Sequence, residues 1–183
     1  LHYTTNGQIF PGQEWWNLWQ NFKEIDMQLS IDGVGKRYEY IRFPGKQDII
    51  ERNVELFIEK EKTNNNLRLS VSHTVSSYSI YYLTEFFDWC EQVGLPRPWC
   101  GVVNTPKHMR PQVFPQAIKN KIIKHLNSSR HQDVHTWATY LTNNDSSGHY
   151  EKFLQITDAH DRYRKLSFAN TFPEVKELLD AVR

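Results

Sequence analysis

Hydrophobic and polar residues alternate with a period of two in several short stretches, and between these stretches apolar positions recur at helical spacing. Ile25, Met27, Leu29 and Ile31 alternate with Asp26, Gln28 and Ser30, which predicts a strand over 24–31. Leu67, Leu69, Val71, His73 and Val75 alternate with Arg68, Ser70, Ser72 and Thr74 and predict another. Residues 1–5 read as a shorter strand running into the turn Asn6-Gly7. Trp99, Gly101 and Val103 read as a fourth strand that ends at Asn104-Thr105-Pro106.

The intervening segments carry a 3.6-residue period. After Pro11, residues Trp15, Trp16, Leu18, Trp19 and Phe22 make an apolar stripe whose tryptophans are expected to pack on a sheet. Ile49, Ile50, Val54, Phe57 and Ile58 define a helix over 47–61 with Glu51, Arg52, Glu55, Glu59 and Lys60 on its solvated face. Tyr82, Phe86, Trp89, Cys90 and Val93 mark a third helix, closed by Gly94. Residues 1–105 therefore read β-α-β-α-β-α-β, with crossovers long enough for parallel pairing. The order changes over 106–183, where helical stripes centre on Ile118–Leu126, Val134–Leu141 and Phe153–Leu166, and Thr171-Phe172-Pro173-Glu174 has a capping pattern. The fold class expected is α/β: three to four parallel strands with crossover helices, followed by a helical C-terminal extension packed on the sheet.

Composition narrows the function. A net charge of +1 on 183 residues gives no electrostatic reason to expect nucleic acid, and no apolar run approaches the roughly 20 residues of a membrane span. The two cysteines, Cys90 and Cys100, have no CxxC spacing and read as small buried residues of a reducing, cytoplasmic compartment, with no sulfur-based metal site. Eight histidines are scattered. His131 and His135 stand one helical turn apart, but no carboxylate accompanies them to complete a site, and they read as solvated. P-loop, GxGxxG and GxSxG motifs are absent from the sequence.

The strand over 24–31 ends in Ser30-Ile31-Asp32-Gly33, followed by a segment rich in charge and aromatics that reads as a loop carrying Arg42. Parallel α/β proteins bind ligands beyond the carboxyl ends of their strands. A small hydroxyl at Ser30 can donate or accept there, and the planar guanidinium of Arg42 suits a carboxylate. The plain alternatives are a surface ion pair of Arg42 with Glu39 or Asp48, and Asp-Gly turn chemistry at Asp32. The loop Asn104-Thr105-Pro106-Lys107-His108 leaves the fourth strand on the same side.

Thr5-Asn6-Gly7 after one strand, Ser30-Ile31-Asp32-Gly33 after the next and Tyr40-Ile41-Arg42 downstream resemble the C-terminal half of radical S-adenosylmethionine enzymes of the SPASM and twitch-containing type. The tail from Asp158 to Arg164 followed by Thr171-Phe172-Pro173-Glu174 is similar to that of twitch members. The resemblance implies a partial (βα) barrel in which residues 1–105 supply the fourth to sixth strands and 106–183 the extension. It implies that Ser30 contacts S-adenosylmethionine, that Arg42 pairs with its methionine carboxylate, and that Asn6 sits at the rim of the same pocket. The CxxxCxxC loop that binds a [4Fe–4S] cluster has no counterpart here, so this chain alone is expected to be inactive. Its partner would be the missing N-terminal half of the barrel, or a second copy joined through the exposed sheet edge, acting on an unknown substrate. The alternatives from other classes are a cluster-free α/β module that binds a nucleotide-like ligand or a partner protein, and an unrelated α/β enzyme using Asp32 and Arg42.

Overall fold

The computed structural model describes residues 1–182. Four strands, β1 (His2–Thr5), β2 (Ile25–Ser30), β3 (Leu67–Val75) and β4 (Trp99–Val102), form one parallel sheet whose spatial order follows the chain, β1-β2-β3-β4. The register pairs Thr5 with Leu29, Ser30 with Ser72 and Val75 with Val102. The crossovers carry α1 (Gln13–Trp19), then α2 (Lys36–Ile41) and α3 (Gln47–Thr63), then a 3-10 turn (Ile80–Tyr82) leading into α4 (Leu83–Val93). Where strand order follows the chain, crossovers of the usual right hand bring the helices to one face of the sheet.

Burial along the strands agrees with that arrangement. Met27, Leu29, Leu69 and Val71 are buried, whereas their alternates Asp26, Gln28, Ser30, Ser70 and Ser72 are half-buried. A parallel sheet covered on both faces would be apolar throughout. Here one face is polar and hydrogen-bonded across the strands: Ser70 Oγ donates to Asp26 Oδ1 (2.9 Å), Thr4 Oγ1 donates to Gln28 Oε1 (3.4 Å), and the Ser30 and Ser72 hydroxyls lie 3.0 Å apart.

The C-terminal helices are α5 (Gln116–Asn127), α6 (Gln132–Asn143), α7 (Tyr150–Arg164), α8 (Phe168–Thr171) and α9 (Pro173–Asp180). They meet the α/β layer through aromatic residues that follow the carboxyl ends of β2 and β3. Tyr40 Oη donates to Asp161 Oδ1 (2.8 Å), Arg164 Nη1 donates to the Tyr40 carbonyl (2.9 Å), and the Tyr78 hydroxyl pairs with Thr157 Oγ1 (3.0 Å). Phe172 stacks on Tyr78 and meets Tyr40 edge-on, so one buried cluster continues from the sheet into the extension. Among the described residues, no helix is long and apolar enough to cross a membrane.

Two local expectations change. Residues 36–41, read as loop, are helix α2, entered through Gly35 at φ 61°, with Arg42 as the residue that ends it. Thr171 does not cap the last helix; it lies in α8, where its hydroxyl donates to the Ser167 carbonyl at 2.7 Å. Ser167 caps α8, and α9 starts on Pro173, whose missing N–H costs nothing at a first helical position.

Candidate functional site

Asp32 follows β2 by two residues and is nearly buried, at 6% exposure. Its Oδ1 accepts the backbone N–H of Thr74 on β3 at 2.6 Å, and its Oδ2 lies 2.6 Å from Arg42 Nε. The second contact is a close ion pair whose N–H is not aimed at the oxygen. One carboxylate thus ties the ends of β2 and β3 to the end of α2. The sequence offers Glu39 and Asp48 as partners for Arg42; Glu39 instead accepts from the backbone N–H of Gln47 at 3.2 Å. Asp32 is therefore the anchor of the arginine rather than turn chemistry alone.

His73, on the buried face of β3, lies behind this pair. Its Nδ1 sits 3.1 Å from the Ile31 carbonyl, which can only accept, so Nδ1 carries the proton and Nε2 presents a lone pair. Nε2 is buried without a partner among the described residues, and the side chain lines an internal cavity of about 10 Å³ together with Asp32, Arg37 and Tyr78. Burial holds the imidazole pKa down to about 4, against an upward pull from Asp32.

Of the three residues singled out from sequence, Asn6 and Ser30 fall at the carboxyl ends of β1 and β2, and Arg42, at the end of α2, is held beside them by Asp32. Asn6 and Arg42 line one open cleft of about 520 Å³ with Gln8, Tyr38 and Phe43. Asn6 Oδ1 accepts the Gln8 N–H (3.1 Å), an Asx turn that leaves the residue exposed at the rim. Ser30 is not part of that cleft's lining; its hydroxyl pairs with Ser72 on the open sheet face. Arg42 Nε is committed to Asp32, while no hydrogen bond among the described residues engages Nη1 or Nη2. The arrangement can present the outer edge of a fixed guanidinium to an anionic group.

Sequence reasoning missed several members of this region. Gln8 bridges the turn after β1 to the rest of the cleft: its Nε2 donates to Tyr38 Oη (2.9 Å) and to the Lys46 carbonyl (3.0 Å). Burial raises the Tyr38 pKa, with the Gln8 hydrogen bond and Arg42 pulling the other way, so Tyr38 is a neutral phenol. Arg37 pairs with both oxygens of Glu85, lies 4.2 Å over the Tyr82 ring and donates to the Thr171 carbonyl, joining α2, α4 and α8. His131 corrects the expectation that no carboxylate accompanies it, since Asp88 of α4 is 2.7 Å from its Nε2. Asp88, Glu91 and His131 could hold a metal by spacing alone, but Arg130 pairs with both carboxylates, so a cation already balances the trio.

Compared with family models, with curated proteins and with solved structures, the chain matches none, and the chemistry of the site rests on its own geometry.

Proposed function

We propose that the chain is the carboxyl-terminal part of a radical S-adenosylmethionine barrel, in which Arg42, with Asn6 at the rim, receives the methionine carboxylate of the cofactor. The observation that carries this reading is the open polar face of a parallel sheet whose strands follow chain order. A doubly wound sheet reverses its strand order and covers both faces with helices. A sheet that adds strands in sequence keeps its helices outside, and its free face suits the inside of a barrel with ligands at the carboxyl ends. The Ser30 hydroxyl at the end of β2, paired with Ser72 of β3, lies on that face beside the cleft rather than in its lining, and would meet only a part of the ligand that reaches over the sheet.

The residues present do not fit the cluster. Three thiolates are needed for a CxxxCxxC-type site, and the chain has two cysteines, in α4 and β4. Burial pushes both thiols up to about 12, so neither is a ready ligand. Any cluster would be held by residues outside 1–183, and this chain would bind and orient the cofactor.

Titration calorimetry with S-adenosylmethionine tests the reading. The expected result is weak binding, with Kd on the order of 0.1–1 mM in the absence of the rest of the pocket. Arg42→Gln should weaken it about tenfold or more, the loss of a charge-assisted contact. Asn6→Ala, an exposed substitution that leaves the core intact, should weaken it by a smaller factor. No heat with the unaltered protein, or equal binding by both variants, overturns the proposal. Binding no tighter than that of adenosine would favour the second reading, a cluster-free module for nucleotide-like ligands.

A further inference from the structure

Arg37 stands in the first turn of α2 and spends its terminal nitrogens on two other elements. Its Nη2 donates to both oxygens of Glu85 on α4, and its Nη1 donates to the Thr171 carbonyl of α8 at 3.3 Å. The Tyr82 ring covers the guanidinium at 4.2 Å. The remaining N–H of the group, at Nε, is buried and has no partner among the described residues. Such a donor is rare in a folded protein, because its lost hydration goes uncompensated.

His73 on β3 has the opposite deficit. Its side chain is 2% exposed, and Nδ1 faces the Ile31 carbonyl at 3.1 Å, so the Nε2 lone pair points to the other side of the ring. Nε2 is likewise buried without a partner among the described residues. Both side chains line the same internal cavity of about 10 Å³. The other polar groups on its wall are engaged. Asp32 holds the Thr74 N–H and Arg42, and Ser79 Oγ accepts the Ser76 N–H. The Tyr78 hydroxyl pairs with Thr157, and that of Tyr82 donates to Glu174. One buried donor and one buried acceptor thus remain on the wall of one small space.

We propose that this cavity binds a single water molecule, which accepts from Arg37 Nε–H and donates to His73 Nε2. Space on the order of 10–15 Å³ admits one water, which is held when it finds about two to four polar partners. Its second proton has acceptors on the same wall, since the carboxylates of Asp32 and Glu85 keep spare lone pairs. An ion is a poorer occupant: the two carboxylates disfavour an anion, and the guanidinium disfavours a cation. The bridge ties β3 to the start of α2, the helix that Arg42 ends. It does not depend on which ligand meets Arg42.

Crystallography of the unaltered protein, at a resolution that defines waters, tests the site together with solution NMR. The expected density is one peak about 2.7–3.2 Å from both Arg37 Nε and His73 Nε2. In solution, water should give NOE and ROE cross-peaks of opposite sign to His73 Hδ2, the mark of a water that stays bound while the protein tumbles. That carbon-bound proton flanks Nε2 and lies away from the exchangeable Nδ1–H. Arg37→Lys places a methylene where arginine has Nε–H and keeps a cation for Glu85; it should abolish the cross-peak, while Lys121→Gln on α5 should leave it unchanged. If Arg37→Lys fails to fold, the two measurements on the unaltered protein decide. No peak in the cavity, a peak in reach of only one of the two nitrogens, the density of an ion, a direct Arg37–His73 hydrogen bond, or a cross-peak undiminished in Arg37→Lys would each overturn the proposal.

Discussion

Asp32 Oδ2 lies 2.6 Å from Arg42 Nε while Oδ1 of the same carboxylate accepts the Thr74 N–H, so one buried acid fixes both a strand end and the arginine of the cleft. Asp32→Asn separates the two roles, because its amide oxygen still accepts from Thr74 and only the charge facing Arg42 is lost. We expect a loss of about 1–3 kcal/mol, the usual result of leaving a partly buried charge without its counterpart. Asp32→Ala should cost more, since the Thr74 bond goes as well. Urea unfolding of the three proteins checks this, and a change within about 0.5 kcal/mol for Asp32→Asn would mean that the pair does not hold Arg42.

His73 gives the fold an acid sensitivity of known sign. Its folded pKa of about 4 lies below the ordinary value of 6.5, so the unfolded chain takes up a proton first as pH falls. The group contributes nothing to stability above about pH 6.5 and destabilises progressively from there down to about pH 4, by about 3 kcal/mol at the lower end. His73→Asn retains a donor for the Ile31 carbonyl and does not titrate. Its unfolding free energy should therefore fall less than that of the unaltered protein between pH 7 and pH 4.5. Parallel pH profiles would count against His73 as the group responsible.

Strands β2 and β3 were legible because each alternates apolar and polar residues, and that alternation also placed His73 on the buried face of β3. Its role was not legible, since the Ile31 carbonyl it serves lies 42 residues away in the chain. The arginine of the site could be read from its chemistry, but its partner could not: Asp-Gly has a sufficient local explanation as a turn, and only the packing of α2 brings Arg42 back to it. Helix α2 was missed because its buried residues are Tyr38 and Tyr40, two apart, which is a strand-like spacing in a six-residue helix. Asn53 did leave a signal. It sits three residues after Ile50 on the apolar stripe of α3, where a polar residue needs a partner, and it donates to the Gly7 carbonyl at 2.8 Å.

That carbonyl belongs to a turn that tolerates only glycine. Gly7 has φ 69°, and a Cβ added there would lie 2.3 Å from Ile50 Cδ1. Gly7→Ala should cost about 2–4 kcal/mol, combining the left-handed backbone penalty with the clash. Ile50→Val removes the clashing methyl, so Gly7→Ala should cost about 1 kcal/mol less in that background, at the price of a smaller core. A double-mutant cycle by thermal or urea unfolding measures the coupling. Strictly additive effects would show that backbone conformation alone excludes a side chain, and that Ile50 does not set the approach of the turn bearing Asn6 and Gln8.

Among the described residues β1 pairs only with β2, so its outer edge carries unpaired backbone groups. Beside it Tyr3, Ile9 and Trp15 are exposed, Ile9 at 79%, around an open cleft of about 530 Å³. An uncovered edge strand next to exposed aromatics is a surface that pairs with another chain segment. The proposed barrel would cover it with its remaining strands. In their absence the protein should self-associate, giving a light-scattering mass above the 21.8 kDa of one chain at concentrations of tens of micromolar. Ile9→Lys combined with Trp15→Glu places two charges in the cleft at exposed positions, where the folded chain tolerates them, and should restore a monomer. Association that survives the double substitution would place the contact elsewhere. A monomer before and after it would mean that the edge is protected by its own short length and by the polar pair of His2 and Asp26, whose side chains lie 2.8 Å apart on the adjoining strands.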